Sequence, residues 1–122
     1  LEGFRLSAEY HGKVAIITLH GDLDMDTSRE LDELLTRARR EQSQIILDLA
    51  AVDFMDTSSL AVIVGHWKKL EAAGGVLALA GPRYRYTKAL WITGLADRMP
   101  LYGSVEQAVA AAEAATSSSP AD

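Results

Sequence analysis

The sequence predicts an α/β fold: a small mixed β-sheet with an antiparallel N-terminal hairpin, later strands parallel, and helices packed against it. Three observations carry this expectation. Two strand-length segments, 4–10 and 13–20, meet at His11-Gly12, a pair suited to a tight hairpin turn. The short apolar runs at 45–49 and 76–80 flank a helix-length segment in which Leu60, Ile63, Val64, Trp67 and Leu70 recur at helical spacing. A crossover of that length between strands requires parallel pairing, whereas the opening hairpin must be antiparallel. With 122 residues, 48% of them apolar, the chain can bury one core, and one domain is expected over 4–115.

The elements follow in order. The first strand alternates Phe4, Leu6, Ala8 and Tyr10 with Arg5, Ser7 and Glu9, the pattern of an edge strand with one wet face. The second, through Val14, Ala15, Ile16, Ile17 and Leu19, is nearly continuous in apolar residues and belongs further inside the sheet. A loop over 21–26 precedes Thr27-Ser28-Arg29-Glu30, which matches a capping box. The first helix is expected to run from there to about Glu41, with Leu31, Leu34, Leu35 and Ala38 inward and Arg37, Arg39 and Arg40 near its C-terminus, where the dipole favours cations. A buried strand at 45–49, a turn carrying Asp53 and Asp56, and the central helix follow, with Gly74-Gly75 as its stop. After the strand at 76–80, Gly81-Pro82 breaks the chain, 83–93 reads as a helix ended by Gly94, and 99–102 as a short fifth strand. Ser104-Val105-Glu106-Gln107 opens an alanine-rich helix to about Ala115. Residues 116–122 have nothing to bury and are expected to be disordered.

Composition narrows the function. A net charge of −5 argues against nucleic acid or an anionic membrane as partner and favours a basic protein surface. The absence of cysteine excludes disulfides and thiolate metal sites. No apolar stretch approaches the roughly 20 residues of a membrane span, and the first 20 residues carry charges unlike a secretory signal. A cytoplasmic setting is expected.

Ligands of open α/β sheets lie beyond the carboxyl ends of the strands. If the second and third strands are parallel neighbours, the loop with Asp22, Asp24 and Asp26 shares an edge with Asp53, Asp56, Thr57, Ser58 and Ser59. The last four can each accept a free amide of the first helical turn. As plain structure they are a cap with solvated neighbours; the sharper alternative is a phosphorylation site. A phosphate there would add about −1.5 to −2 charges beside existing carboxylates, while the helix N-terminus tolerates it. The acidic loop lacks the glycine and distal Glu of a calcium loop, so no metal site is expected, and no lysine completes a receiver-type aspartate site. His11, His20 and His66 belong to no nucleophile motif and are expected at the surface or at strand ends, so no catalytic residue is assigned. Trp67 and Trp91 fall on inward helical phases. Among Met25, Phe54 and Met55 at least one is expected in the core, and an exposed one would serve as a hydrophobic anchor for a partner.

The stretch Asp48-Leu49-Ala50-Ala51-Val52-Asp53-Phe54-Met55-Asp56-Thr57-Ser58-Ser59-Leu60 resembles the signature of the anti-sigma factor antagonists of the STAS domain family, and Gly21-Asp22-Leu23-Asp24 before Thr27 is similar to the segment ahead of that family's first helix. Ser59 stands where the family usually has glycine. The resemblance implies a non-enzymatic regulator whose first hydroxyl after the Asp, here Thr57, is phosphorylated by an anti-sigma factor with serine/threonine kinase activity. Ser58 is the second candidate. It implies a partner surface of Asp24, Met25, Thr27, Asp53, Phe54, Met55, Asp56, Thr57, Ser58 and Ser59, a phosphatase that resets the switch, and no cofactor on this chain, since the kinase brings ATP and magnesium. A homodimer is left open. The alternative within the family is an unphosphorylated scaffold or regulatory subunit of a signalling or transport complex.

Overall fold

The computed structural model describes residues 3–117. In chain order it contains β1 (Arg5–His11), β2 (Val14–Leu23), α1 (Met25–Arg39), β3 (Gln44–Met55), α2 (Thr57–Ala72), β4 (Val76–Ala80), α3 (Lys88–Ile92), β5 (Leu101–Tyr102) and α4 (Val105–Ser117), with single 3-10 turns at Tyr84–Tyr86 and Leu95–Asp97. The five strands form one sheet in the order β1-β2-β3-β4-β5. β1 and β2 pair antiparallel, and every later pair is parallel, as the crossover lengths require.

Strand alternation sorts the core into two layers. On one face Ala15, Ile17 and Leu19 of β2, Ile45, Leu47 and Leu49 of β3, and Leu77 and Leu79 of β4 meet Leu31, Leu34 and Leu35 of α1 and Leu60, Ile63, Trp67 and Leu70 of α2. On the other face Val14, Ile46 and Ala80 meet Ala108 and Ala112, so the alanine-rich α4 covers its own sheet. Trp67 is in the core as its phase predicts, whereas Trp91 is only half-buried and meets Tyr84 edge-on with ring centroids 5.2 Å apart.

Several boundaries differ from the sequence expectation. The hairpin turns at Gly12-Lys13 rather than His11-Gly12, with Gly12 at φ 62° as the first central residue of a two-residue loop between the paired His11 and Val14. β2 continues through Gly21, Asp22 and Leu23, and β3 through Met55, so the expected loop and turn are largely strand. The extensions pair with each other across two register shifts, between Thr18 and His20 and between Gly21 and Asp22. α1 starts before Thr27 because Asp24 is its cap. The Asp24 carboxylate accepts the amides of Asp26 and Thr27, each at 3.0 Å, and the Thr27 hydroxyl accepts the Asp24 amide at 2.8 Å. The helix expected over 83–93 is broken at the buried Thr87, whose hydroxyl donates to the Arg83 carbonyl at 2.8 Å. α4 includes Thr116 and Ser117, which were expected in the tail; 118–122 lie outside the described residues.

Candidate functional site

Because β2 and β3 are parallel neighbours, their carboxyl ends form one edge. Asp22 stands opposite Phe54 and Leu23 opposite Met55, and the Asp56 amide donates to the Leu23 carbonyl at 3.1 Å. The first turns of α1 and α2 therefore open from adjacent points, each under an aspartate cap. The Asp24 carboxyl is held below its ordinary range, chiefly by the Thr27 amide, with the Thr27 hydroxyl and the Asp26 amide adding to it against the opposing effect of desolvation.

The three hydroxyls at the start of α2 have different surroundings. Asp56 caps the helix by accepting the Ser59 amide at 3.0 Å, and the same oxygen accepts the half-buried Ser58 hydroxyl at 2.7 Å. Ser59 is fully buried, and its hydroxyl donates to the Asp56 carbonyl at 2.7 Å. Ser59 thus sits beneath the turn with its hydroxyl held by the backbone. Thr57, the first helical residue, is exposed, and its hydroxyl makes no hydrogen bond within the described residues. Of the four side chains expected to accept first-turn amides, only Asp56 does so.

Around this turn the apolar residues divide. Met55 is in the core, whereas Met25 is 70% and Phe54 49% exposed. Asp22, Asp26 and Asp53 are exposed, and Asp22, Asp24, Thr27 and Asp53 line a groove together with Gly3, Phe4 and Gly21. No group of three or more carboxylates or histidines among the described residues is arranged to hold a metal ion. The expected partner surface is therefore brought to one edge with three exceptions in role: Met55 and Ser59 are interior, and the Thr27 hydroxyl is taken up by the cap.

Sequence reasoning missed two participants. Arg83 donates to the Val52 carbonyl at 3.1 Å and to the Asp53 carboxylate at 3.3 Å, bracing the end of β3 from beyond β4. Its only sequence signal was its place just after the end of β4. His66, expected at the surface, is 4% exposed. It links the two helices: Arg39 Nε donates to its Nδ1 at 2.9 Å, and its Nε2 meets Asp32 Oδ1 at 2.6 Å. Burial pushes its pKa below the ordinary value; Asp32 opposes this and Arg39 adds to it. Its spacing of three from Ile63 and four from Leu70 placed it on the inward stripe of α2.

The fold and this edge define a five-stranded mixed α/β domain with helices on both faces and an acidic, hydroxyl-bearing rim at its strand ends. The chain belongs to the STAS domain family, whose model matches residues 5–108. It is 34% identical over 102 residues to the anti-sigma F factor antagonist of Paenibacillus polymyxa, covering 80% of this chain and 86% of that one. Its fold is shared with an anti-sigma factor antagonist from Mycobacterium paratuberculosis, with a TM-score of 0.80, 23% identity and coverage of 89% and 93% of the two chains. The anti-sigma factor antagonist SpoIIAA matches in its unphosphorylated form with a TM-score of 0.78, 24% identity and coverage of 92% and 97%, and in its phosphorylated form with 0.70, 24%, 90% and 99%. Among the described residues no helix is long and apolar enough to cross a membrane.

Proposed function

We propose that this chain is an anti-sigma factor antagonist switched off by phosphorylation of Thr57. The observation that carries the reading is the division of the hydroxyls: Thr57 is exposed and unengaged, Ser58 is held by Asp56, and Ser59 is buried. A kinase can reach Thr57 without breaking a hydrogen bond, which favours it over Ser58. The unphosphorylated chain binds a cytoplasmic anti-sigma factor with serine/threonine kinase activity through the rim, with Met25 and Phe54 as apolar contacts and Asp24, Asp53 and Asp56 as acidic ones. A sigma factor is thereby released to RNA polymerase, and a phosphatase restores the antagonist.

The switch needs no rearrangement. A phosphate on the first residue of α2 meets free amides and the positive end of the helix dipole, so the domain tolerates it. The partner faces a dianion beside three carboxylates where it had met a hydroxyl. Losing about 3 kcal/mol of binding weakens a complex more than a hundredfold. The burial of Ser59 beneath the turn, with its hydroxyl on the Asp56 carbonyl, supports this reading over an unphosphorylated scaffold.

The test is capture from the source cell's lysate by wild type and by Thr57→Glu, with mass spectrometry of the retained proteins and of the chain itself. Retention of a kinase-type anti-sigma factor by wild type alone, with acid-stable phosphate on Thr57, supports the reading. Equal retention by both forms, or phosphate on another residue, refutes it.

A further inference from the structure

We infer that β1 is a self-complementary edge through which two copies of this chain pair antiparallel about Ser7, joining their sheets into one of ten strands. The two-residue turn at Gly12-Lys13 makes His11 and Val14 a hydrogen-bonded pair, so His11, Glu9, Ser7 and Arg5 direct their backbone groups at β2. Leu6, Ala8 and Tyr10 then direct theirs outward, from the open side of the terminal strand.

A two-fold axis at Ser7 places these outward groups in register. Leu6 faces Ala8 of the second copy as a hydrogen-bonded pair, and Tyr10 faces Phe4. All four side chains lie on the α1 side of the sheet, where Leu6, Ala8 and Phe4 are half-buried and Tyr10 is 51% exposed. On the opposite side, where all three residues are exposed, Arg5 faces Glu9, Glu9 faces Arg5, and Ser7 faces itself. Apolar side chains thus meet apolar ones, and the Arg5–Glu9 ion pair occurs twice by symmetry. Displacing the axis to Leu6 or Ala8 loses both ion pairs. The weak contact of Glu9 with His11, 3.5 Å between two exposed side chains, is readily exchanged for Arg5.

Two measurements test this. In sedimentation equilibrium the wild-type mass is expected to rise with concentration from 13.2 kDa towards twice that value. Arg5→Glu and Glu9→Arg should each weaken the dimer about tenfold, and the double reversal should restore it. Independently, the chain has no cysteine, so Ser7→Cys should give a covalent dimer on mild oxidation, because a directly opposed non-hydrogen-bonded pair has disulfide geometry. Glu9→Cys should not, since its two copies would stand about 13 Å apart. A wild type that stays monomeric, single reversals without effect, or equal cross-linking at both positions overturns the proposal and leaves Arg5 and Glu9 as charges that guard a solitary edge.

Discussion

Asp56 and Thr57 adjoin in sequence, yet the structure gives all of the capping to Asp56, and a pair of alanine substitutions separates them. Asp56→Ala removes the acceptor of the Ser59 amide and the partner of the Ser58 hydroxyl. Loss of an Asp cap costs about 1 kcal/mol, within a range of roughly 0.5–2, and loss of the carboxylate at a helix N-terminus about 0.3–1 more. Ser58 is half-buried and can turn to water, and the Ser59 hydroxyl keeps its backbone acceptor, so nothing further is left unsatisfied. The expected loss is therefore about 1–2 kcal/mol. With a urea m-value of about 1–3 kcal/mol/M for a small domain, the unfolding midpoint falls by roughly 0.3–2 M. Thr57→Ala removes an exposed hydroxyl with no partner and should stay within about 0.5 kcal/mol of wild type. Asp56→Asn, which keeps the acceptor and removes the charge, should fall between them. Equal losses for Asp56→Ala and Thr57→Ala, or an unmoved midpoint for Asp56→Ala, would refute the division of labour on which Thr57's availability rests.

Further outcomes follow from the rest of the molecule. The folded-state pKa of His66 lies below its ordinary 6.5, so the unfolded chain takes up the proton first and stability falls as pH drops below about 6.5. His66→Gln should flatten that slope in a melting-temperature series, and an unchanged slope would exclude His66 as its source. Asp24 acts in a separate window: with its folded pKa below 3.8, its contribution is present above that pH and is lost as pH falls below it, so Asp24→Asn should lower the neutral-pH plateau of the same series and flatten its acid limb. Gly75→Ala would put a methyl 2.3 Å from the Ser43 carbonyl oxygen, and about 1–3 kcal/mol of destabilisation in urea is expected from the forced shift. Met25→Ser should leave stability within about 0.5 kcal/mol, and Phe54→Ser, whose ring is half covered, should cost about 1 kcal/mol; each should weaken capture of the anti-sigma factor at least about tenfold.

The legible parts of the fold were those in which local pattern and global environment agree. The apolar runs of β3 and β4 could only be buried strands, and α2's stripe from Leu60 to Leu70 could only face them. The end of β3 was not legible, because Asp53 and Phe54 read locally as turn residues and become strand only by pairing with an extension of β2. That pairing depends on two register shifts, which no local pattern specifies. The start of α1 was ambiguous for another reason. Asp24 with Thr27 and Thr27 with Glu30 are both pairs at capping-box spacing, and the choice follows from where β2 stops. His66 was missed because its polar identity outweighed its inward phase, although Asp32 and Arg39 on α1 satisfy both ring nitrogens.

These illegible features are the ones that shape the rim. The extended β2–β3 pairing ends in the Asp56 amide bond to Leu23, which fixes the start of α2 one residue from the Asp24 cap of α1. Arg83 braces the same strand end from the β4 side. His66 and its two α1 partners join the helices further along. The carboxylates at 24, 53 and 56 are thus set on braced backbone, two of them as caps, and their spacing does not depend on a mobile loop. On the proposed reading, a charge added at Thr57 would meet a fixed electrostatic surface, and its effect on a partner would be one of desolvation and repulsion. On this reasoning Arg83→Ala, which frees Asp53 without touching Thr57, should leave phosphorylation possible but blunt the discrimination between phosphorylated and unphosphorylated chains in partner binding. Undiminished discrimination would show that the bracing of β3 has no part in the switch.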